Sequence, residues 1–275
     1  MNVSINGVKA DIKFDTEENL GEAVSGIELW LHDQGCFLSG LEVDGEVVRA
    51  EALESFSARK LDGINTLDIN VLSWQELAVQ AYLTARDTLN SYQNAVFNEK
   101  QTVKADWEGC AAARFLSDHI PDISELIRLC LSGEGPGTAA LLTLIDERLR
   151  ELQAPEAEFS NMEALVSGIA VRLQDLPLDM QTGKDERASE TVQIFSHGME
   201  KIYRLLYVLK FKGLNVENIR VEALSFRDFN DEFGAALKEL VAAFQVKDSV
   251  LVGDLAEYEL APRLVKLYSA LKELV

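Results

Sequence analysis

Residues able to do chemistry are sparse, and the densest group of them is DLAEYELAPRL, residues 254–264. Within it Asp254, Glu257, Tyr258, Glu259 and Arg263 crowd around a tyrosine just ahead of Pro262. Such a set can form a polar recognition face or an interior polar network. It also has a purely structural reading, in which Asp254 caps a helix and Arg263 pairs with Glu259 one turn earlier. Proline lacks the amide that a helix interior requires, so the helix either begins near Glu259 or kinks at Pro262.

The common catalytic motifs do not occur. No G-x-x-x-x-G-K-[ST] loop is present, and the glycines of SGEGPG, residues 132–137, lack both the lysine and a preceding strand. There is no G-x-S-x-G elbow and no H-E-x-x-H helix. The three histidines, His32, His119 and His197, lie in separate segments. His197 and Glu200 stand one turn apart, but a helical carboxylate-bridged metal site needs Glu-x-x-His on two helices, and the motif does not occur once. Cys110, near Arg114, is flanked by Ala111, Ala112 and Ala113 and reads as a small apolar residue within a helix. The sequence therefore assigns no catalytic residue, no metal ligand and no cofactor.

Charge narrows the function classes further. The 275 residues carry 26 Lys+Arg against 46 Asp+Glu, a formal net charge of −20. A field of that sign repels phosphate backbones and anionic lipid surfaces unless a local basic patch overcomes it. The densest basic stretch, Lys201 to Lys212, interleaves its charges with apolar residues, so neither nucleic acid nor membrane is an expected partner. Cys36, Cys110 and Cys130 form no C-x-x-C pair, and MNVSINGVKADIK lacks the basic and apolar regions of a signal peptide. No apolar run approaches the ~20 residues needed to cross a bilayer. The expected compartment is the cytoplasm.

The elements that must position any site fall into two groups. In SINGVKADIKF, residues 4–14, Asn6-Gly7 predicts a two-residue type I′ turn that sets Ile5 against Val8 and Val3 against Ala10. The face those residues share continues through Ile12 and Phe14. Leu20, Val24, Ile27 and Leu31 then recur at helical spacing, with Asp15 or Thr16 as the cap and Glu17 and Glu18 in the first turn. A second hairpin, LEVDGEVV, sets Val43 against Glu46 and Leu41 against Val48. After a turn or short helix in LESF and KLDG, INTLDINV supplies a last strand with Leu67, Ile69 and Val71 on one face.

This order, strand, strand, helix, strand, short strand, irregular link, strand, resembles the ubiquitin-like β-grasp fold over residues 1–72. The resemblance is one of pattern. It implies a final strand paired in the middle of the sheet and a docking or adaptor role. Conjugation is not implied, because Leu72, Ser73 and Trp74 run on into a helix where a modifier would end in Gly-Gly.

From residue 73 the periodicity is helical. Ser73 and Glu76 have capping-box spacing ahead of Trp74, Leu77, Ala81, Ala85, Leu89, Tyr92 and Val96. Further helices are expected over about 103–119 and 123–131. Apolar stripes then run through Leu141 to Leu152, Met162 to Leu176, Val192 to Leu209, Phe226 to Phe244 and Leu260 to Leu274. LPLDMQTGKDER, residues 176–187, reads as an exposed loop, flexible over 177–187, and NIRVEAL as a short strand or linker. The expectation is an α+β chain, with a β-grasp domain over 1–72 and a helical bundle over 73–275. Two functions fit it. One is a non-enzymatic adaptor, scaffold or chaperone-like protein that binds a protein partner or a second copy of itself as a homodimer. The other is an enzyme of unrecognised class with an acidic polar site in the helical domain.

Overall fold

A computed structural model of the chain describes residues 1–14, 16–48 and 53–275. The chain folds as two compact units, Met1–Asp146 and Glu147–Val275.

The first unit begins with β1 (Asn2–Ile5), β2 (Val8–Ala10), α1 (Leu20–Asp33), β3 (Cys36–Val43), β4 (Glu46–Val48), α2 (Leu53–Ser57) and β5 (Thr66–Ser73). The strands lie in the order β2-β1-β5-β3-β4, with β1 and β5 parallel and the other pairs antiparallel. The last strand is thus central, an order consistent with a β-grasp-like sheet. Both turns have the positive φ that a type I′ hairpin requires: 50° and 75° at Asn6 and Gly7, 51° and 83° at Asp44 and Gly45. The registers Val3↔Ala10, Ile5↔Val8, Leu41↔Val48 and Val43↔Glu46 follow.

Both turns also bond to the central strand. Asn6 donates to the Val71 carbonyl at 3.0 Å and accepts from its amide at 2.7 Å. Asp44 accepts from the amides of Asn65 and Thr66 at 2.8 and 2.9 Å. The Thr66 and Asn65 amides, helped by Arg59, hold the Asp44 carboxyl below its usual range.

Leu20, Val24, Ile27 and Leu31 of α1 pack with Val3, Leu41, Val43, Leu67, Ile69 and Val71 of the sheet. The helix is capped by Asn19, whose side chain accepts from the Glu22 amide at 3.0 Å. Thr16 therefore lies ahead of the helix, as do Glu17 and Glu18, and Asp15 lies outside the described residues. Val8, expected on the covered face, is 71% exposed, because β2 is the sheet's edge strand.

The sheet is followed by α3 (Trp74–Asn94), α4 (Phe97–Gly109), α5 (Ala111–His119) and α6 (Pro121–Ser132); α7 (Thr138–Gln153) contains the boundary between the units. The capping box forms as expected, Ser73 accepting from the Glu76 amide at 3.2 Å and Glu76 from the Ser73 amide at 2.8 Å. The helix expected over 103–119 is instead two. The chain becomes extended at Cys110, after Gly109, and the Cys110 thiol accepts from the Ala113 amide at 3.4 Å. Cys110 is therefore a helix cap and not an interior residue. The fold changes from sheet to helix where β5 ends at Ser73, as expected, while α3–α6 share a compact unit with the sheet. Phe37 of β3 meets Phe115 and His119 of α5 at ring distances of 6.4 and 5.5 Å, and Trp74 meets Phe115 at 6.3 Å.

The second unit takes the rest of α7 and adds α8 (Pro155–Ser160), α9 (Glu163–Gln181), α10 (Asp185–Phe211), β6 (Arg220–Val221), β7 (Leu224–Ser225), α11 (Phe226–Gln245), α12 (Ser249–Asp254), a π-helical turn (Leu255–Leu260) and α13 (Ala261–Lys272). Helix α9 packs against α10, α12, the π turn and α13. Phe195, Ile202, Leu206, Phe229, Phe233, Leu240, Leu264, Leu267 and Leu271 all enter the core, as their spacing predicts. Leu274 is half-exposed beyond the end of α13. NIRVEAL forms a hairpin turned at Glu222, with Ile219 and Val221 buried.

The loop expected over 177–187 shrinks to residues 182–184, because α9 runs through Pro177 and α10 begins at Asp185. The Pro177 ring packs closely against a neighbouring helix. Gly253 of α12 lies so close that a Cβ there would stand 2.8 and 2.9 Å from the proline ring carbons. The ring cannot move aside, so Gly253→Ala is expected to lower stability by about 1–3 kcal/mol in urea unfolding. An unchanged midpoint would contradict this packing.

Candidate functional site

The open edge of the N-terminal sheet adjoins a groove of about 430 Å³ between residues 11–14 and α1. Its apolar lining comes from Ile12, Phe14, Ala23 and Ile27, with Trp30 at its side and Asp11, Lys13 and Glu17 as its charged groups. Trp30 is 52% exposed and its neighbour Leu29 is 73% exposed, so the outer side of α1 presents large apolar groups to solvent.

Gly26, inside α1, opens this groove. A helix-interior glycine costs about 1 kcal/mol relative to alanine. Its φ is not positive, and a Cβ there would meet only a Glu17 carboxylate oxygen, at 3.8 Å. Neither backbone conformation nor crowding within the chain requires glycine here. Motif and periodicity single out neither Gly26 nor Trp30. Their signal is an indole and a glycine one turn apart on the row that the apolar period leaves unexplained.

The residues singled out in the sequence lie on a different surface, in the second unit. Asp248 is the cap of α12, accepting from the Leu251 amide at 3.1 Å, so the capping role expected for Asp254 is overturned. Asp254 instead sits in continuous helix, followed by the π turn. The helix neither begins at Glu259 nor breaks at Pro262. The wide turn shifts pairing so that the Ala261 amide reaches the Ala256 carbonyl five residues back, which accommodates the proline that follows.

Arg263 does pair with Glu259, at 2.8 Å, and also with Glu232 of α11, at 2.9 Å. Asp254 and Tyr258 are exposed, while Glu257, Glu259 and Arg263 are half-buried. The hydrogen bonds and charges of Glu232 and Glu259 outweigh burial and raise the Arg263 pKa. The Glu257 carboxylate, with a smaller effect from Asp254, raises that of Tyr258 and keeps its phenol protonated. The arrangement braces α11 against the helix that follows. Its cation, Arg263, is engaged by two carboxylates.

The basic stretch of α10 is similarly occupied. Lys201 donates to Glu147 at 2.9 Å and to Glu158 at 3.0 Å. Arg204 reaches both oxygens of the buried Glu151, at 3.0 and 3.1 Å, and Arg148 reaches Glu151 at 3.0 Å. Lys212 is held by Glu156 at 3.0 Å. These cations neutralise carboxylates of their own unit. His197 is exposed on α10, and its neighbour Glu200 faces Arg204 at 3.9 Å. Among the described residues no group of three or more His, Cys, Asp or Glu is placed to hold a metal ion, and no helix is long and apolar enough to cross a membrane.

Residues 1–73 match the family described as TP0873 N-terminal domain, and residues 158–270 match a domain of unknown function, DUF8042. The two matches fall on the N-terminal sheet and on most of the second unit. A relative from Treponema pallidum (strain Nichols), described as an uncharacterized protein, is 29% identical over 180 residues, covering 65% of this chain and 82% of the relative. No solved structure matches the chain.

Proposed function

We propose that the chain is a non-enzymatic adaptor that binds a protein partner through its N-terminal β-grasp-like sheet. The observation that carries this reading is the groove beside a strand edge that is unpaired among the described residues, with a half-exposed Trp30 at its side. A terminal strand offers a row of free amides and carbonyls, and a flanking apolar channel supplies the side-chain pockets that make strand addition selective. The intramolecular pairing of Lys201, Arg204 and Lys212 supports the same reading, since it lowers the local attraction for polyanions.

The test is recovery of a stoichiometric partner with the tagged full chain from its own cells, compared between the parent and Trp30→Asp. Tryptophan at the centre of an interface typically contributes about 2 kcal/mol or more, so recovery should fall at least ~10-fold. Equal recovery by both proteins would place partner binding elsewhere and remove the support for this site.

A further inference from the structure

The groove also points to the kind of segment that fills it, an inference that rests on the adaptor reading. We propose that its occupant is an extended protein segment alternating apolar and basic residues, added as a strand to the outer edge of β2.

Backbone pairing sets the geometry. In a two-residue hairpin, Val8 and Ala10 exchange hydrogen bonds with Ile5 and Val3, which turns the amide and carbonyl of Lys9 outward. β2 ends at Ala10, and among the described residues no backbone hydrogen bond engages Asp11–Phe14, so the backbone beside the groove is open to an added segment. A segment laid along it would send every second side chain toward Ile12, Ile27 and Trp30, where the missing Gly26 side chain leaves room.

Charge sets the composition of the alternate positions. Asp11 and Glu17 line the groove, and the exposed Glu22 and Asp33 lie on the same helical row as Gly26 and Trp30. Among the described residues, two carboxylates, Asp11 and Glu17, line the groove against one cation, Lys13, and Glu22 and Asp33 add negative charge beyond its lining. With a net charge of −20 behind them, they favour lysine or arginine on the incoming strand. A second copy is the poorer occupant, because pairing two β2 edges about a twofold axis would set these acidic rims against each other.

The experiment uses the full chain and two fluorescein-labelled ten-residue peptides, one alternating isoleucine with arginine and the other alternating isoleucine with glutamate. Fluorescence anisotropy should show the arginine peptide binding at least ~10-fold more tightly, and hydrogen exchange should show new protection within Lys9–Phe14. Gly26→Leu should lower that affinity at least ~10-fold without lowering the melting temperature, since glycine is the poorer helix former. If that variant does melt lower, Trp30→Ala takes its place.

Equal affinities for the two peptides would overturn the proposal. So would arginine-peptide binding that neither variant weakens, since a diffuse attraction to an acidic protein predicts that result. Protection confined to other segments, or protection of residues 9–14 that appears with protein concentration alone, would overturn it as well. If Trp30→Asp loses the cellular partner while the peptides show no preference, the adaptor reading stands and strand addition of a basic segment falls.

Discussion

Lys201→Met is expected to lower the stability of the second unit by about 3 kcal/mol. Breaking a buried charge pair from one side generally costs roughly 3–5 kcal/mol, because the surviving charges stay desolvated. Lys201 is only 15% exposed, and its ammonium stands 2.9, 3.0 and 3.9 Å from Glu147, Glu158 and Glu151. Methionine fills much of the same volume but leaves three carboxylates close together. The lower end of the range applies because Arg150 still reaches Glu158 at 3.2 Å, and Arg148 and Arg204 still hold Glu151. Urea unfolding followed by circular dichroism measures the loss. A cost below about 1 kcal/mol would mean that the arginines alone satisfy the cluster.

A second substitution separates the lost attraction from the stranded charge. Lys201→Met combined with Glu158→Gln should be less destabilising than the sum of the two single changes, by ~1 kcal/mol or more.

The pH dependence has a definite sign. Burial alone would raise the pKa of Glu147, but the hydrogen bond and charge of Lys201, with Arg148 and Arg204, outweigh it and hold the carboxyl below its usual value. Its contribution is present above the unfolded pKa, 4.5, and is lost as pH falls through the lower folded value. Burial likewise lowers Lys201, and Glu147 and Glu158 outweigh it in the other direction. That contribution is present below 10.5 and is lost as pH rises through the higher folded value. The gap between parent and Lys201→Met should therefore be widest near neutrality and close toward about pH 3. A constant gap across that range would show the loss to be one of packing.

The network also shows why sequence reading reaches some parts of this protein and not others. Asn6-Gly7 and Asp44-Gly45 each fix a two-residue turn, so Val3↔Ala10 and Leu41↔Val48 can be counted directly from the chain. Leu20, Val24, Ile27 and Leu31 declare their buried face by spacing alone. Pro177 and Pro262 mislead for a common reason. A proline in isolation predicts a break, but α9 continues through Pro177, whose ring packs against Gly253 of a distant helix, and Pro262 follows a shift to π pairing that periodicity does not announce. Cys110 caps a helix with a thiol, a group that propensity does not rank among caps.

The cluster built from Glu147, Glu151, Glu158, Lys201 and Arg204 joins residues up to 54 positions apart, beyond any periodic signal. Arg263–Glu259 was legible because it is a one-turn helical pair, whereas its other partner, Glu232, lies 31 positions away. The groove beside β2 was not legible in the sequence, beyond the docking role that the β-grasp pattern implies. The openness that Gly26 confers is visible once α1 and residues 11–14 are placed together.

The same dependence on distant packing makes Phe159→Ala the second large effect, with an expected loss of about 3–5 kcal/mol, the usual cost of removing a fully buried aromatic ring. Phe159 belongs to the short helix α8 and has no exposed surface. Its ring stacks on Tyr268 of α13, with centroids 5.2 Å apart and planes inclined by 16°. The Tyr268 hydroxyl donates to the Phe159 carbonyl at 2.9 Å and lies 3.2 Å from that of Ser160. Phe159, together with the buried Pro155, thus seats a helix of only six residues, far too short to persist without tertiary contacts. Its adjoining residue, Glu158, is one of the carboxylates that reach Lys201. Alanine at 159 therefore opens a cavity and also loosens one arm of the charge network. It should depress the melting temperature by ~10 °C or more, whereas Phe159→Leu, which keeps most of the volume, should cost only about 1 kcal/mol. Combined with Lys201→Met, Phe159→Ala should be less than additive, because both changes release Glu158. Strict additivity would show that α8 holds its position independently of the ring, and that the aromatic stack and the charge cluster are separate supports.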